Sequence, residues 1–202
     1  MLIWMRSLFH TFNMNKYGKY IFLTIGGVVI YQFLKAGSMS NKFSKFSEPV
    51  ALKLLALQNA LMRLGVKQPQ LDFVLSQILH ETGVFTSRSK VARENNNYTG
   101  IKWLNKSYQL ATKGTRVPDS EFDFRNPERP TNFYAKFDSI DGWAKDFLRI
   151  VSLKRSGNNL GRPIEAITLP DYVSRLKANG FFGGEERVYQ RATKKFFDMF
   201  VR

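Results

Sequence analysis

The 202-residue chain contains no cysteine and only two histidines, His10 and His80. The lack of cysteine excludes disulfides, thiol catalysis and cysteine-based metal sites. The two histidines lie far apart in sequence, and neither has a cluster of further ligands around it. We therefore predict no metal site and no cofactor. The chain also has no internal repeat.

Acidic residues are scarce: 16 Asp and Glu stand against 31 Lys and Arg, which gives a formal charge of +15. Residues 1–47 hold six basic side chains and no acidic one. Such a surplus attracts polyanions, whether nucleic acid, anionic lipid or anionic cell-wall polymer. No helix-turn-helix, zinc finger or RNA-binding motif is present, so no specific nucleic-acid partner is expected.

One long hydrophobic run occurs, from Tyr20 to Leu34, interrupted by two polar residues. As a helix it would span about 22 Å, short of the roughly 30 Å hydrocarbon core. With residues 17–19 and 35–37 it reaches about 31 Å, if Lys19 and Lys35 reach opposite interfaces. We predict a transmembrane anchor over residues 1–37, of undetermined orientation. The alternatives are a signal peptide cleaved near the small residues 36–38 and a core or interfacial helix.

The rest of the chain is predicted to be a linker, residues 38–47, followed by one domain, residues 48–202. Apolar residues recur at helical spacing from Ser47 to Gly65 and from Pro69 to Glu81. The polar middle predicts a hairpin with strands at 116–124 and 132–137. Helices resume from residue 138, at 169–178 and at 185–200. The predicted fold class is α+β and mostly helical, with the aromatic residues of these later helices in the core: Trp143, Phe147, Phe196, Phe197 and Phe200.

Glu81 is the leading candidate for chemistry. It ends an apolar helix, where the negative end of the helix dipole and apolar neighbours both disfavour the ionised carboxylate and raise its pKa. A carboxyl that stays protonated near neutral pH can donate a proton to the leaving oxygen of a glycosidic bond. For a glutamate considered alone, a solvated helix end is the more common role.

Two sequence blocks extend this interpretation. Glu81-Thr82-Gly83-Val84-Phe85-Thr86-Ser87 and Asn96-Asn97-Tyr98-Thr99-Gly100-Ile101-Lys102 resemble the signature of glucosaminidases of glycoside hydrolase family 73, although Thr99 stands where that family usually has Phe. Ser120-Glu121-Phe122-Asp123, residues 134–140, and Tyr172 with Leu176, Gly180 and Phe181 resemble further blocks of the family. The resemblance covers residues 50–200. It implies a lysozyme-like fold with a small β-hairpin lobe opposite the catalytic glutamate.

The resemblance also implies roles for individual residues. Glu81 would be the general acid. Glu121 would position water or stabilise the transition state, with Asp119, Asp123 and Glu128 as alternatives nearby. The substrate's 2-acetamido group could replace a protein nucleophile. Tyr172 would contact the sugar near the cleaved bond, unless it is a core tyrosine. The expected substrate-binding residues are Asn96, Asn97, Tyr98, Lys102 and Trp103.

The function predicted from these residues is hydrolysis of the β-1,4 bond between N-acetylglucosamine and N-acetylmuramic acid in peptidoglycan, for cell-wall degradation in phage entry or lysis. The partners would be glycan strands, the membrane and, for a phage protein, other virion proteins. The catalytic domain would face the cell wall. A lytic transglycosylase acting on the same polymer is the nearest rival. A non-catalytic, membrane-anchored virion or wall-binding protein is the alternative from a different class.

Overall fold

The computed structural model describes residues 23–25, 28–30, 42–86 and 89–201, and the chain divides into two compact units, Met1–Lys45 and Phe46–Arg202. In the first unit, strands β1 (Leu23–Ile25) and β2 (Val28–Ile30) pair antiparallel, with Leu23 opposite Ile30. Two glycines separate these β-branched runs in the sequence, and that pattern favours a hairpin over a helix.

The predicted transmembrane helix is therefore wrong over the residues that the structure describes. The centre of its apolar run forms strands, and no described helix is both long and apolar enough to cross a membrane. Membrane attachment through an N-terminal helix is not supported. The remaining residues of the predicted anchor, together with the alternative cleavage site at 36–38, lie outside the described residues.

The second unit is mostly helical with one small sheet. Its elements are α1 (Glu48–Arg63), α2 (Gln70–Thr82), α3 (Lys90–Asn95), β3 (Thr112–Arg116), β4 (Phe133–Lys136), α4 (Ile140–Val151), α5 (Leu169–Ala178) and α6 (Glu186–Val201). Short 3-10 turns lie at Asp119–Glu121, Pro130–Asn132 and Pro163–Glu165. The predicted helices at 169–178 and 185–200 agree with α5 and α6 to within one residue.

Helix α2 brings the site residues into place. Its apolar side chains follow the 3.6-residue period and are fully or almost fully buried: Leu71, Val74, Leu75, Ile78 and Leu79. Gly83 ends the helix in the left-handed conformation, at φ 54°, and its N–H bonds back to the last turn. Glycine adopts this conformation without the strain a Cβ would add. The helix thus stops directly after Glu81 and Thr82, as the sequence predicts.

The two-stranded sheet is shorter than predicted. Strands β3 and β4 pair antiparallel, with Lys113 opposite Ala135 and an irregularity before Arg116. The predicted strand at 116–124 is wrong beyond Arg116, because Pro118 lacks an N–H for the ladder and a 3-10 turn follows it.

The loop between the two strands is held by Asn132. Its Oδ1 accepts the N–H of Asp123, and its Nδ2 donates to three loop carbonyls. Asn132 is 1% exposed. Buried polar groups are normally hydrogen-bonded, and here the bonds of one side chain hold Asp123, Asn126 and Pro127 together.

The core lies among α1, α2, α4, α5 and α6. Trp143 and Phe147 of α4 are fully buried and stack at 5.1 Å. Helix α6 packs along α2, where Phe197 meets Phe73 with their ring centroids 5.5 Å apart. The predicted core aromatics of α4 are buried, whereas the C-terminal phenylalanines 196, 197 and 200 are only partly so. Because α6 lies alongside α2, it reaches the end of α2 where Glu81 lies.

Candidate active site

An open groove of about 520 Å³ runs between the end of α2 and the sheet. Glu81 and Thr82 form one wall. Loop residues 97, 98 and 100 form the floor, and residues 115–118 with Tyr134 form the opposite wall. Helical and strand elements that are far apart in sequence therefore enclose one solvent-accessible space. Its chemistry depends on the few ionisable groups that face it.

Glu81 is exposed to solvent at the groove. Protein nevertheless surrounds its carboxyl closely enough to remove much of its hydration, and this desolvation raises the pKa of Glu81 above the ordinary value. The Tyr189 phenol donates a 2.5 Å hydrogen bond to Glu81 Oε1 and opposes the rise. Desolvation is the larger effect, so the groove favours the protonated acid.

Tyr189 of α6 is held rigidly behind Glu81. Its ring stacks on Phe182 at 4.0 Å and meets His80 edge-on at 4.8 Å. Burial raises the pKa of Tyr189, and the nearby Glu81 charge raises it further. The phenol therefore stays protonated and acts as a hydrogen-bond donor. The sequence patterns did not indicate Tyr189, because nothing local links two residues 108 positions apart.

Tyr172 lies in the core and does not line the groove. It is fully buried, and its hydroxyl donates a 2.6 Å hydrogen bond to Gln77 Oε1. Gln77 is on α2, one helical turn before Glu81. In this geometry Tyr172 fixes α2 from behind, and a direct contact with sugar would require it to leave the core.

Glu121 lies on the far side of the groove, next to the residues that line it. Its carboxylate forms an ion pair with Lys102, whose Nζ also sits 4.2 Å above the Tyr134 ring. Burial raises the pKa of Tyr134, and the charges of Glu121 and then Glu81 raise it further. The charges of both carboxylates thus act on Tyr134, for which no role was predicted from the sequence.

The other acidic candidates on this lobe are all engaged. Asp119 pairs with Arg116 at 3.0 Å, and Glu128 lies 3.7 Å from Lys113. Arg129 beside Asp123 lowers the pKa of that carboxyl by donating a hydrogen bond to it. None of the three lines the groove, although the basic partner Arg116 does.

The predicted substrate-binding block has largely internal roles. Asn97 is 2% exposed; its Nδ2 donates to the carbonyls of Ile101 and Ala135, and its Oδ1 accepts from the N–H of Ile101. Asn96 adopts the left-handed conformation and donates to the Phe137 carbonyl at 3.0 Å. These asparagines fasten the groove floor to β4, which leaves little hydrogen-bonding capacity for a ligand.

Tyr98 also lies on this floor. Its ring meets Trp143 edge-on at 5.2 Å, and burial raises its pKa to about 12. The indole of Trp143 donates to Thr99, so a buried polar pair occupies the position where the family pattern has Phe. Trp103 lies outside the groove, in a separate shallow depression of about 360 Å³ shared with Lys113.

In residues 42–86 and 89–201, no group of three or more histidine and acidic side chains is arranged to hold a metal ion. The ionisable groups that the structure brings to the groove are carboxyls, phenols and cations. A desolvated carboxyl that faces a groove has the chemistry needed to donate a proton to a bound group.

Comparisons with known proteins add little. No family model matches the chain, and no curated protein matches it. Among solved structures, a type VI secretion system effector-immunity complex from Pseudomonas protegens is similar over 84% of this chain and 96% of that one, with 16% identity and a TM-score of 0.44. A likeness this weak carries no argument about function.

Proposed function

We propose that the groove is the active site of a glycosidase acting on peptidoglycan, with Glu81 as the general acid. The observation that carries the proposal is the Glu81 carboxyl itself, which protein atoms desolvate although it opens onto a groove. Its neighbour Tyr189 fixes one oxygen. The resemblance of residues 81–87 and 96–102 to family 73 glucosaminidases supports the choice of substrate, as does the net positive charge.

The geometry suggests how the proton is delivered. Oε1 accepts the Tyr189 hydrogen bond, and no described residue donates to Oε2. Oε2 is therefore the oxygen that would carry the transferable proton towards the glycosidic oxygen. As the bond breaks, positive charge develops on the sugar ring and negative charge develops on Glu81. Tyr189 then donates to a full carboxylate, and this charge-assisted hydrogen bond is stronger than the one in the ground state.

Glu121 would act on the second half of the reaction. A carboxylate across the groove could stabilise the oxocarbenium-like transition state or orient the attacking water. Its ion pair with Lys102 compensates much of its charge. That observation favours mechanisms needing one protein carboxyl, namely assistance by the substrate's 2-acetamido group or the lytic transglycosylase reaction, which remains the second candidate.

Product analysis tests the proposal. The full chain is incubated with purified sacculi, and the soluble products are identified by mass spectrometry. Reducing N-acetylglucosamine ends would support the hydrolase, and anhydro-muramic ends would support the transglycosylase. Glu81→Gln should release neither product. The matched control is Glu185→Gln, since Glu185 is exposed and makes no side-chain ion pair among the described residues. If wild type and Glu81→Gln give equal products, or none, the acid assignment is wrong.

A further inference from the structure

A second cavity of about 760 Å³ lies on the other side of the groove floor. The loop from Thr99 to Leu104, the C-terminal end of α4 and the C-terminal end of α5 enclose it. Gly100 lines both spaces. A polymer lying in the groove beside Glu81 could therefore extend a branch over Gly100 into this cavity.

The charged side chains that line this cavity are all basic. Four of its lining residues are basic and none is acidic: Lys102, Arg149, Lys154 and Arg155. Lys102 is paired with Glu121, and Arg149 is paired with the buried Asp146 at 2.8 Å. Neither Lys154 nor Arg155 has a carboxylate partner within the part of the chain that the structure describes. Two uncompensated cations thus stand at the rim.

The rim is built on a fixed frame. The Arg155 guanidinium lies directly against Gly180, in the space that a Cβ would fill. The Arg155 N–H donates to Asn179 Oδ1 at 3.1 Å, and Asn179 Nδ2 donates to the Leu153 carbonyl at 2.8 Å. These bonds join the segment after α4 to the end of α5. The cations are therefore presented from an ordered backbone, which reduces the entropy cost of binding.

The floor beneath these cations is apolar. Val151 and Leu176 are fully buried there, and Ile101 is 6% exposed. A ligand that fits such a cavity has an aliphatic body and at least one anionic group. The peptide branch of peptidoglycan has this composition, because short aliphatic residues alternate in it with free carboxylates.

We propose that this cavity binds the carboxylate-bearing peptide branch of the glycan strand whose sugars lie beside Glu81. The inference rests on the proposed function for its polymer, but not on the bond that is cleaved. It makes the enzyme selective for strands that still carry peptides. Lys154 and Arg155 are the selectivity-determining residues, and they take no part in the chemical step.

The test compares two substrates and two double variants. The substrates are intact peptidoglycan and the same strands stripped of peptide by an amidase. Lys154→Glu with Arg155→Glu reverses the rim charges, and both residues are exposed, so the fold should tolerate the change. The matched control is Arg191→Glu with Lys195→Glu, which changes the net charge equally at two exposed positions of α6.

On intact peptidoglycan at low concentration, the rim variant should be about tenfold slower than the control, since it replaces attraction with repulsion at short range. On stripped strands the two variants should be equally fast. Equal rates on both substrates, or an equal loss on both, would overturn the inference.

A binding measurement separates this inference from the proposed function. A soluble disaccharide-peptide is titrated into the isotope-labelled full chain while the amide signals of Leu153 and Gly180 are followed. Shifts that the rim variant abolishes would support the cavity even if the wild type cleaves no glycan. Cleavage without such shifts would keep the proposed function and overturn the cavity. If these amide signals shift on addition of a phosphate-rich wall polymer but not on addition of the disaccharide-peptide, the inference would also be overturned.

Discussion

The two walls of the groove are stabilised in opposite ways. Behind Glu81, helices α2, α5 and α6 meet through buried side chains: Tyr172 is bonded to Gln77, and the buried Tyr189 is bonded to the carboxyl of Glu81. Across the groove, the sheet lobe holds Glu121 by an ion pair whose side chains are 30% and 49% exposed. Buried hydrogen bonds resist salt and motion, whereas exposed ion pairs contribute little. The position of Glu81 is therefore fixed before a ligand binds, whereas the position of Glu121 can change. We call the two sides the preset wall and the adjustable wall.

The largest effect should come from the preset wall. Glu81→Gln removes the transferable proton while keeping the size of the side chain, so the rate of glycan cleavage should fall by about 10²- to 10⁴-fold. Initial rates of dye release from labelled sacculi would measure this. Glu185→Gln should leave the rate unchanged. If the rate of Glu81→Gln lies within about threefold of the wild-type rate, Glu81 is not the general acid and the comparison of the two walls loses its basis.

On the adjustable wall, Glu121→Gln and Lys102→Met break the same ion pair from its two ends. If the carboxylate assists the reaction, kcat should fall about tenfold in Glu121→Gln and much less in Lys102→Met. Each variant should lose under about 1 kcal/mol of stability. Equal losses of kcat in the two variants would mean that the pair has only a structural role.

The buried network behind Glu81 should matter for stability. Tyr172→Phe leaves Gln77 Oε1 without its donor in a site that excludes water, which should cost about 1–3 kcal/mol of unfolding free energy. Urea denaturation followed by circular dichroism would measure the loss. Tyr108→Phe is the control, because Tyr108 is 52% exposed. If Tyr172→Phe is as stable as the control, the network contributes nothing.

The smallest effect is a change in pH dependence. The Tyr189 hydrogen bond favours the charged form of Glu81 and so lowers its pKa. Tyr189→Phe should therefore raise the pKa of Glu81 further. Because the general acid must be protonated to act, the alkaline limb of kcat/KM should move to higher pH. A limb that moves to lower pH would contradict this assignment of Tyr189.

The helices could be predicted from the sequence because each carries its own signals. Helix α2 shows the apolar period of its buried face, and Gly83 ends it. In the first unit, the transmembrane prediction rested on the length and hydropathy of the run. It gave too little weight to a local signal, the β-branched Val28-Val29-Ile30 after Gly26-Gly27, which is typical of a hairpin. The loop at 117–124 also alternates like a strand, but Pro118 and the Asn132 bonds override that pattern.

The candidate site could be predicted only in part. Glu81 could be chosen from its helix end and the motif that follows it. Tyr189 and Tyr134 could not, because tertiary packing brings them to the groove from distant segments. The asparagine pair of residues 96 and 97 belongs to a specific motif. In the structure, however, these side chains form hydrogen bonds with the backbone of β4 and its neighbours. A local sequence motif alone cannot distinguish such a structural role from sugar binding.

The most direct test of Glu81 as the general acid joins a titration to a rate. Carbon-13 NMR of the full chain, labelled at the glutamate carboxyls and assigned with Glu81→Gln, gives the pKa of Glu81, and steady-state kinetics give the alkaline limb of kcat/KM. We predict a pKa above the ordinary glutamate value that coincides with that limb. A Glu81 that titrates at or below the ordinary value, or away from the limb, would contradict the account.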